Sequence, residues 1–137
     1  MAKTPVNLKV DGFVDREVAD VTYSFTKGTD KEGQPTGIPR GGKIILKVKA
    51  LNDGNCELLG WINDTGAGKK GSIEFMDPKD NKKKMKSVDF ENAYCIEFSE
   101  HWEDKGDNAE ELAHYEVIII SCQKITNGSV AYENEWA

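Results

Sequence analysis

A mainly β, single-domain fold is predicted by three features of the sequence. Period-two alternation of apolar and polar residues dominates, a strand pattern because successive side chains point to opposite faces. The four prolines, Pro5, Pro35, Pro39 and Pro78, lie outside the alternating runs, as expected where ladders need every backbone N–H. A length of 137 residues fits one domain that buries roughly two thirds of its unfolded surface, with no room for a second.

The elements can be taken in order. Val6, Leu8 and Val10 alternate with Asn7 and Lys9, and Val21, Tyr23 and Phe25 alternate with Asp20, Thr22, Ser24 and Thr26, giving two half-buried strands. Ile44, Leu46, Val48 and Ala50 form a third against Lys43, Lys47 and Lys49. Asn55–Asn63 breaks the alternation: Leu58, Leu59 and Ile62 fall at helical spacing, Asn55 is a suitable N-cap and Gly66 a suitable stop. Ile73 and Phe75 make a short strand, and the lysine-rich stretch 77–86 reads as a solvated hairpin tip. The longest alternation places Val88, Phe90, Tyr94, Ile96 and Phe98 opposite Asp89, Glu91, Cys95, Glu97 and Ser99. Ala109–Ala113 has helix propensity for a single turn, cut off by the β-branched run behind it. Val117–Ile120 is apolar on both faces, so its outer side needs cover from the helix or from a neighbouring subunit.

Charge narrows the partners. With 18 Lys and Arg against 24 Asp and Glu the net charge is −6, which disfavours nucleic acid. No apolar run approaches the ~20 residues of a membrane span, and the opening Met1-Ala-Lys-Thr-Pro5 lacks a signal-peptide core, so cytoplasmic synthesis is expected. Cys56, Cys95 and Cys122 are widely spaced and include no Cys-x-x-Cys pair, which indicates free thiols rather than disulfides or a zinc site.

Catalytic signals fail on inspection. Gly66–Gly71 resembles a phosphate loop, but Asn63 stands where a glycine is needed and Lys70 where a Ser or Thr is needed. His101 lies near Glu97, Glu100, Glu103 and Asp104, an acidic cluster that a solvated strand face explains without acid–base work. Neither His101 nor His114 has metal-ligand spacing. Accordingly no catalytic residue, cofactor or metal is expected.

The stretch Gly28–Gly42 is harder to explain as filler. It reads as a 15-residue loop with five glycines and two prolines, and loops of about 12–15 residues or more are uncommon in compact domains unless functional. Its paired prolines stiffen it, and Ile38 is its one large apolar residue. A passive insertion is the alternative reading.

At this loop the sequence begins to resemble the type VI secretion tube proteins, the Hcp or TssD family, in their Bacteroidetes form. The resemblance runs through Tyr23-Ser-Phe25, the loop with Gly33-Gln-Pro35 and Gly41-Gly42, and Lys43–Lys49. It continues through Leu58, Leu59 and Trp61, Gly71–Phe75, Phe90–Tyr94, Phe98-Ser-Glu100, Lys124-Ile125, Gly128 and Glu133–Trp136. It implies two β-sheets forming a closed or nearly closed barrel with one helix, six subunits in a ring, and rings stacked into a hollow tube. It further implies a contractile sheath, a tip protein and effector proteins as partners, and export through that apparatus. Ending at Ala137, directly after Trp136, the chain is expected to carry no C-terminal toxin domain of the kind some members have.

A ring needs a contact that closes by rotation, and a tube needs a second contact left open. The expected interface residues are Val117 and Ile119 for the ring, and Gly33, Gln34, Pro35, Ile38, Pro39 and Arg40 for the stack. Two other function classes compete. A monomeric lipocalin-like barrel would hold an apolar ligand in its mouth, and a hydrolase would use His101.

Overall fold

The computed structural model describes residues 5–51, 53–80, 82–104 and 113–136, so all but the last residue of the helical turn expected over Ala109–Ala113 lies outside the described residues. The elements are β1 (Val6–Val10), β2 (Arg16–Tyr23), β3 (Thr26–Thr29), β4 (Pro35–Arg40), β5 (Lys43–Lys49), α1 (Glu57–Asn63), β6 (Lys69–Met76), β7 (Lys84–Trp102), β8 (His114–Asn127) and β9 (Val130–Glu133).

Six strands pair antiparallel in the order β5-β2-β1-β6-β7-β8, and a β5–β8 ladder closes them into a barrel. Closure removes the free edges that an open sheet would expose. On β8, residues Tyr115–Ser121 pair with β5 whereas Lys124–Asn127 pair with β9, so one strand serves both the barrel and an added edge. The interior is filled by Leu8, Ile44, Leu46, Ile73, Phe90, Ile118 and Ile120, each no more than 1% exposed. Strands β1 and β5 follow the alternation expected of them, and on β8 Glu116, Ile118 and Ile120 are buried while Val117 and Ile119 are half-buried.

Two polar groups also reach the interior. Arg16 and Glu116 are 4% and 5% exposed and meet at 3.1 Å, and the Arg16 guanidinium also donates to the carbonyl of Lys49 at 2.8 Å. This links β2 and β8 through the end of β5, between them. On β6, Glu74 lies against Lys84 at 2.7 Å and Lys9 at 3.2 Å, and its hydrogen bond to Lys84 leads the effects that hold its carboxyl below the ordinary carboxylate range.

Strand β7 corrects the expected pattern. Val88 and Phe90 point inward, but the next buried residues are Ala93 and Cys95, while Tyr94 is half-buried and Ile96 is 47% exposed. The facing reverses at Asn92, whose φ of 50° lies in the left-handed region and whose side-chain amide donates to Gln123 at 2.8 Å. A second irregularity between Cys95 and Glu97 leaves Ile96 unpaired and turns Phe98 back towards the core. Tyr94 and Ile96 therefore do not fill the barrel.

The helix is shorter than its sequence signals. It runs Glu57–Asn63 with Cys56 at the N-cap position, and Asn55 instead accepts the Glu57 N–H at 3.1 Å. The helix ends at Asp64, whose backbone is already extended, before Gly66. Leu58 and Trp61 are its buried residues, Leu59 is 44% exposed, and the Phe13 ring meets Trp61 edge-on at 5.8 Å. The helix packs against β7.

The thiols differ sharply in environment. Cys56 is exposed, whereas burial pushes the Cys95 thiol up to about 11 and the Cys122 thiol up to about 12. Titration of the folded protein with a thiol-reactive chromophore at pH 8 should therefore modify Cys56 rapidly and the other two only on unfolding. Rapid modification of all three under native conditions would show that the β7–β8 core opens readily.

Candidate functional site

The stretch Gly28–Gly42 is not the structureless loop expected from its glycines and prolines. β3 and β4 pair as a two-stranded hairpin separate from the barrel, with Pro35 and Pro39 inside β4. Prolines are tolerated there because the ribbon has open edges and few N–H groups owe a partner. Asp30 builds its turn, accepting the N–H groups of Glu32 and Gln34 at 3.0 and 2.9 Å, with Gly33 at φ 81°.

Every residue of β3 and β4 is exposed, Ile38 at 69%. A lone two-stranded hairpin in water is at best marginally stable, so this one either borrows support from its root or awaits a partner. The root is well supported. The Tyr132 hydroxyl accepts the Gly41 N–H at 3.0 Å and lies 3.1 Å from the Pro39 carbonyl oxygen and 2.7 Å from Asn134 Oδ1. Asn134 Nδ2 donates to the carbonyls of Gly41 at 3.2 Å and Cys122 at 3.1 Å, and the Cys122 N–H donates to the Gly42 carbonyl at 2.7 Å. The Phe25 ring lies 4.8 Å from that of Tyr132. Sequence reasoning missed this support, because Tyr132 and Asn134 are about ninety positions from Gly41 and carry no local signal.

Val117 and Ile119 lie elsewhere, on the outer face of β8. They pair with Lys47 and Ile45 on β5 and with Ser99 and Glu97 on β7. Ile45 at 46% and Ile96 at 47% exposed extend this face as an apolar band left open in the single subunit. The helix, packed on β7, does not close it. The six hairpin residues and the two β8 residues thus form two separate surfaces, as two distinct contacts require.

The other candidates lose ground. His101 is 52% exposed, stacks on Tyr115 at 5.0 Å and stands 3.7 Å from Glu103, in a setting open to water. Among the described residues no group of three or more His, Cys, Asp or Glu is placed to hold a metal. Densely filled by aliphatic side chains, the barrel has an interior unlike that of a ligand-holding lipocalin.

Comparison with known proteins decides between the readings. Residues 3–137 match the family described as Hemolysin coregulated protein Hcp (TssD). The chain belongs to the Hcp (TssD) family. No curated protein sequence matches it significantly in direct comparison. Among solved structures it is similar to Hcp1 from Flavobacterium johnsoniae, with 29% identity and a TM-score of 0.83 over 95% of this chain and 99% of that one. It also shares the fold of Hcp1 from the E. coli EAEC 042 pathovar, with 16% identity and a TM-score of 0.74 over 98% of this chain and 100% of that one. A third likeness of fold is to a chain in the sheath–tube complex of the PVC extracellular contractile injection system, with 18% identity and a TM-score of 0.55 over 91% and 88% of the two chains. As an Hcp-family protein, the chain is a structural tube subunit of a type VI secretion system. The lipocalin-like reading is not supported.

Proposed function

We propose that six copies of this Hcp-family chain close into a ring through the outer face of β8, and that rings stack through the β3–β4 hairpin. The resulting tube is driven by a contractile sheath, capped by a tip protein and accompanied by effectors. It does no chemistry itself. Subunits are made and assembled in the cytoplasm and leave through the apparatus without a signal peptide.

The observation that carries this reading is the hairpin, exposed along its whole length yet fixed at its root. Topology supports a head-to-tail stack. The hairpin leaves the barrel after Tyr23, at the end of β2 opposite the β1–β2 turn. That turn, through Asp11, joins Asp64, Lys69, Lys70 and Glu91 in lining a polar groove of about 580 Å³. The hairpin carries Lys27, Asp30, Lys31, Glu32 and Arg40, charges of both signs to set against those of the groove. A protruding element at one end and a receiving surface at the other generate an open stack, whereas the β8 face supplies the rotation that closes the ring. Each stacking contact can be weak because one ring makes several in parallel.

Ile119→Asp tests the ring contact. In the single subunit the new carboxylate sits on an outer face and reaches water, so the barrel should fold. Trapped between subunits it would cost several kcal/mol, because a desolvated charge lacks a partner there. Gel filtration with light scattering should find a folded 15.2 kDa monomer in place of a ring, and Val117→Asp should act in the same direction. Normal six-fold rings of both variants in electron microscopy would remove the β8 face from the interface.

A further inference from the structure

We infer that Tyr132 and Asn134 form a clamp that fixes the angle at which the β3–β4 hairpin leaves the barrel, and that tube growth depends on this angle. The inference rests on the hairpin being the stacking contact, and it assigns a role to β9 and the residue that follows it. Where the hairpin rejoins the barrel the chain passes through Gly41-Gly42, two residues whose backbones are intrinsically free. Unrestrained, such a pair is a hinge. Here it is held from two sides. Gly41 gives its N–H to the Tyr132 hydroxyl and its carbonyl accepts from Asn134 Nδ2, and the Gly42 carbonyl takes the N–H of Cys122.

The packing is equally specific. A Cβ at Gly41 would collide with the Phe25 ring and come within 2.9 Å of the Ser24 carbonyl oxygen. At Gly42, where φ is 102°, a Cβ would collide with the Asn134 carboxamide and stand 2.8 Å from the Cys122 carbonyl oxygen. The glycines therefore let the clamp close onto the backbone, and the clamp removes the freedom they would otherwise give. Asn134 is itself anchored to β8, its N–H donating to the Gln123 carbonyl at 2.7 Å. The load path runs from β8 through Asn134 to the root of the hairpin. A hairpin free to swing would lose that freedom anew at every stacking contact, and the ordering cost would recur around the ring. Fixing the angle beforehand lets all copies engage together.

The test uses Tyr132→Phe, which keeps the ring on Phe25 but removes the hydroxyl, and Asn134→Ala, which removes both side-chain donations. Hairpin geometry is read directly by spin-label distances between Glu32→Cys at the turn and Lys86→Cys on β7, in a Cys56→Ser background. Buried Cys95 and Cys122 remain unlabelled. We expect the distance distribution to broaden in both variants, ring formation to persist, and tubes to be lost. An unbroadened distribution would overturn the clamp whatever the hairpin does in assembly. Broadening with normal tube formation would overturn the dependence of growth on angle. Should Asn134→Ala fail to fold, Tyr132→Phe carries the same test alone. A chain with the hairpin removed that still forms tubes would instead defeat the stacking reading, and is thereby distinguished from failure of the clamp.

Discussion

Glu116→Ala should destabilise the barrel by about 3–5 kcal/mol, because it leaves the Arg16 guanidinium charged and without its carboxylate in the core. Domains of this size are stable by only roughly 5–15 kcal/mol, so the variant loses a large share of its margin. A fall in the thermal midpoint on the order of 10 °C is expected. The cost comes from position. Arg16 and Glu116 are 4% and 5% exposed, and Arg16 Nε has no hydrogen-bond partner among the described residues, so little else is at hand to replace the carboxylate. Glu116→Gln keeps a hydrogen-bond acceptor and should fall between alanine and the parent. Replacing both partners by apolar groups, Arg16→Met with Glu116→Leu, should restore stability or exceed it, since desolvating two charges offsets much of what their attraction contributes. Urea unfolding of the four proteins checks the ordering. An alanine variant within about 1 kcal/mol of the parent would mean that the pair behaves like a hydrated surface bridge.

That pair also illustrates what the sequence could and could not disclose. Glu116 falls in phase with Ile118 and Ile120, and Arg16 in phase with Val18, so each charge occupies a position where the strand period predicts burial. Opposite charges in core phase on different strands are a readable signal, though nothing local says that the two meet. Strands β1 and β5 were fully legible because one register runs their whole length. Strand β7 was not. A single left-handed residue at Asn92 and an unpaired Ile96 reset its facing twice, and period counting has no means of seeing either event. The hairpin failed for a different reason. Its glycines and prolines are loop-like by composition, but pairing between two exposed edges asks for no apolar alternation and tolerates proline. Phe90–Tyr94 and Glu133–Trp136 are separate stretches of the sequence that the fold brings together, with the rings of Tyr94 and Trp136 6.0 Å apart, and nothing local to either stretch signals that contact.

Replacing Thr26–Arg40 by a four-residue turn should abolish tube formation while leaving the barrel folded. The cut must spare Gly41 and Gly42, because these bond to Cys122, Tyr132 and Asn134 and so belong to the barrel's own network. Phe25 must also stay, since it packs on Tyr132. What remains outside the cut is supported without the hairpin: every residue of β3 and β4 is exposed, and neither strand pairs with any strand of the barrel. Geometry favours the splice as well, because Thr26 and Arg40 are already cross-strand partners and a short turn can join the chain where they stood. Shortening a loop changes its closure cost only by (3/2)RT times the logarithm of the length ratio, about 1.2 kcal/mol here. Thermal unfolding should therefore move by a few degrees at most, and rings should persist if the outer face of β8 alone closes them. Stacking has no such reserve, since the shortened chain lacks Gly33, Gln34, Pro35, Ile38, Pro39 and Arg40 together. Negative-stain microscopy of the purified protein, paired with a secretion assay in cells carrying the apparatus, reads both halves of the expectation. Tubes of normal length and secretion at the parental level would make the hairpin a passive insertion and move the stacking contact elsewhere on the barrel.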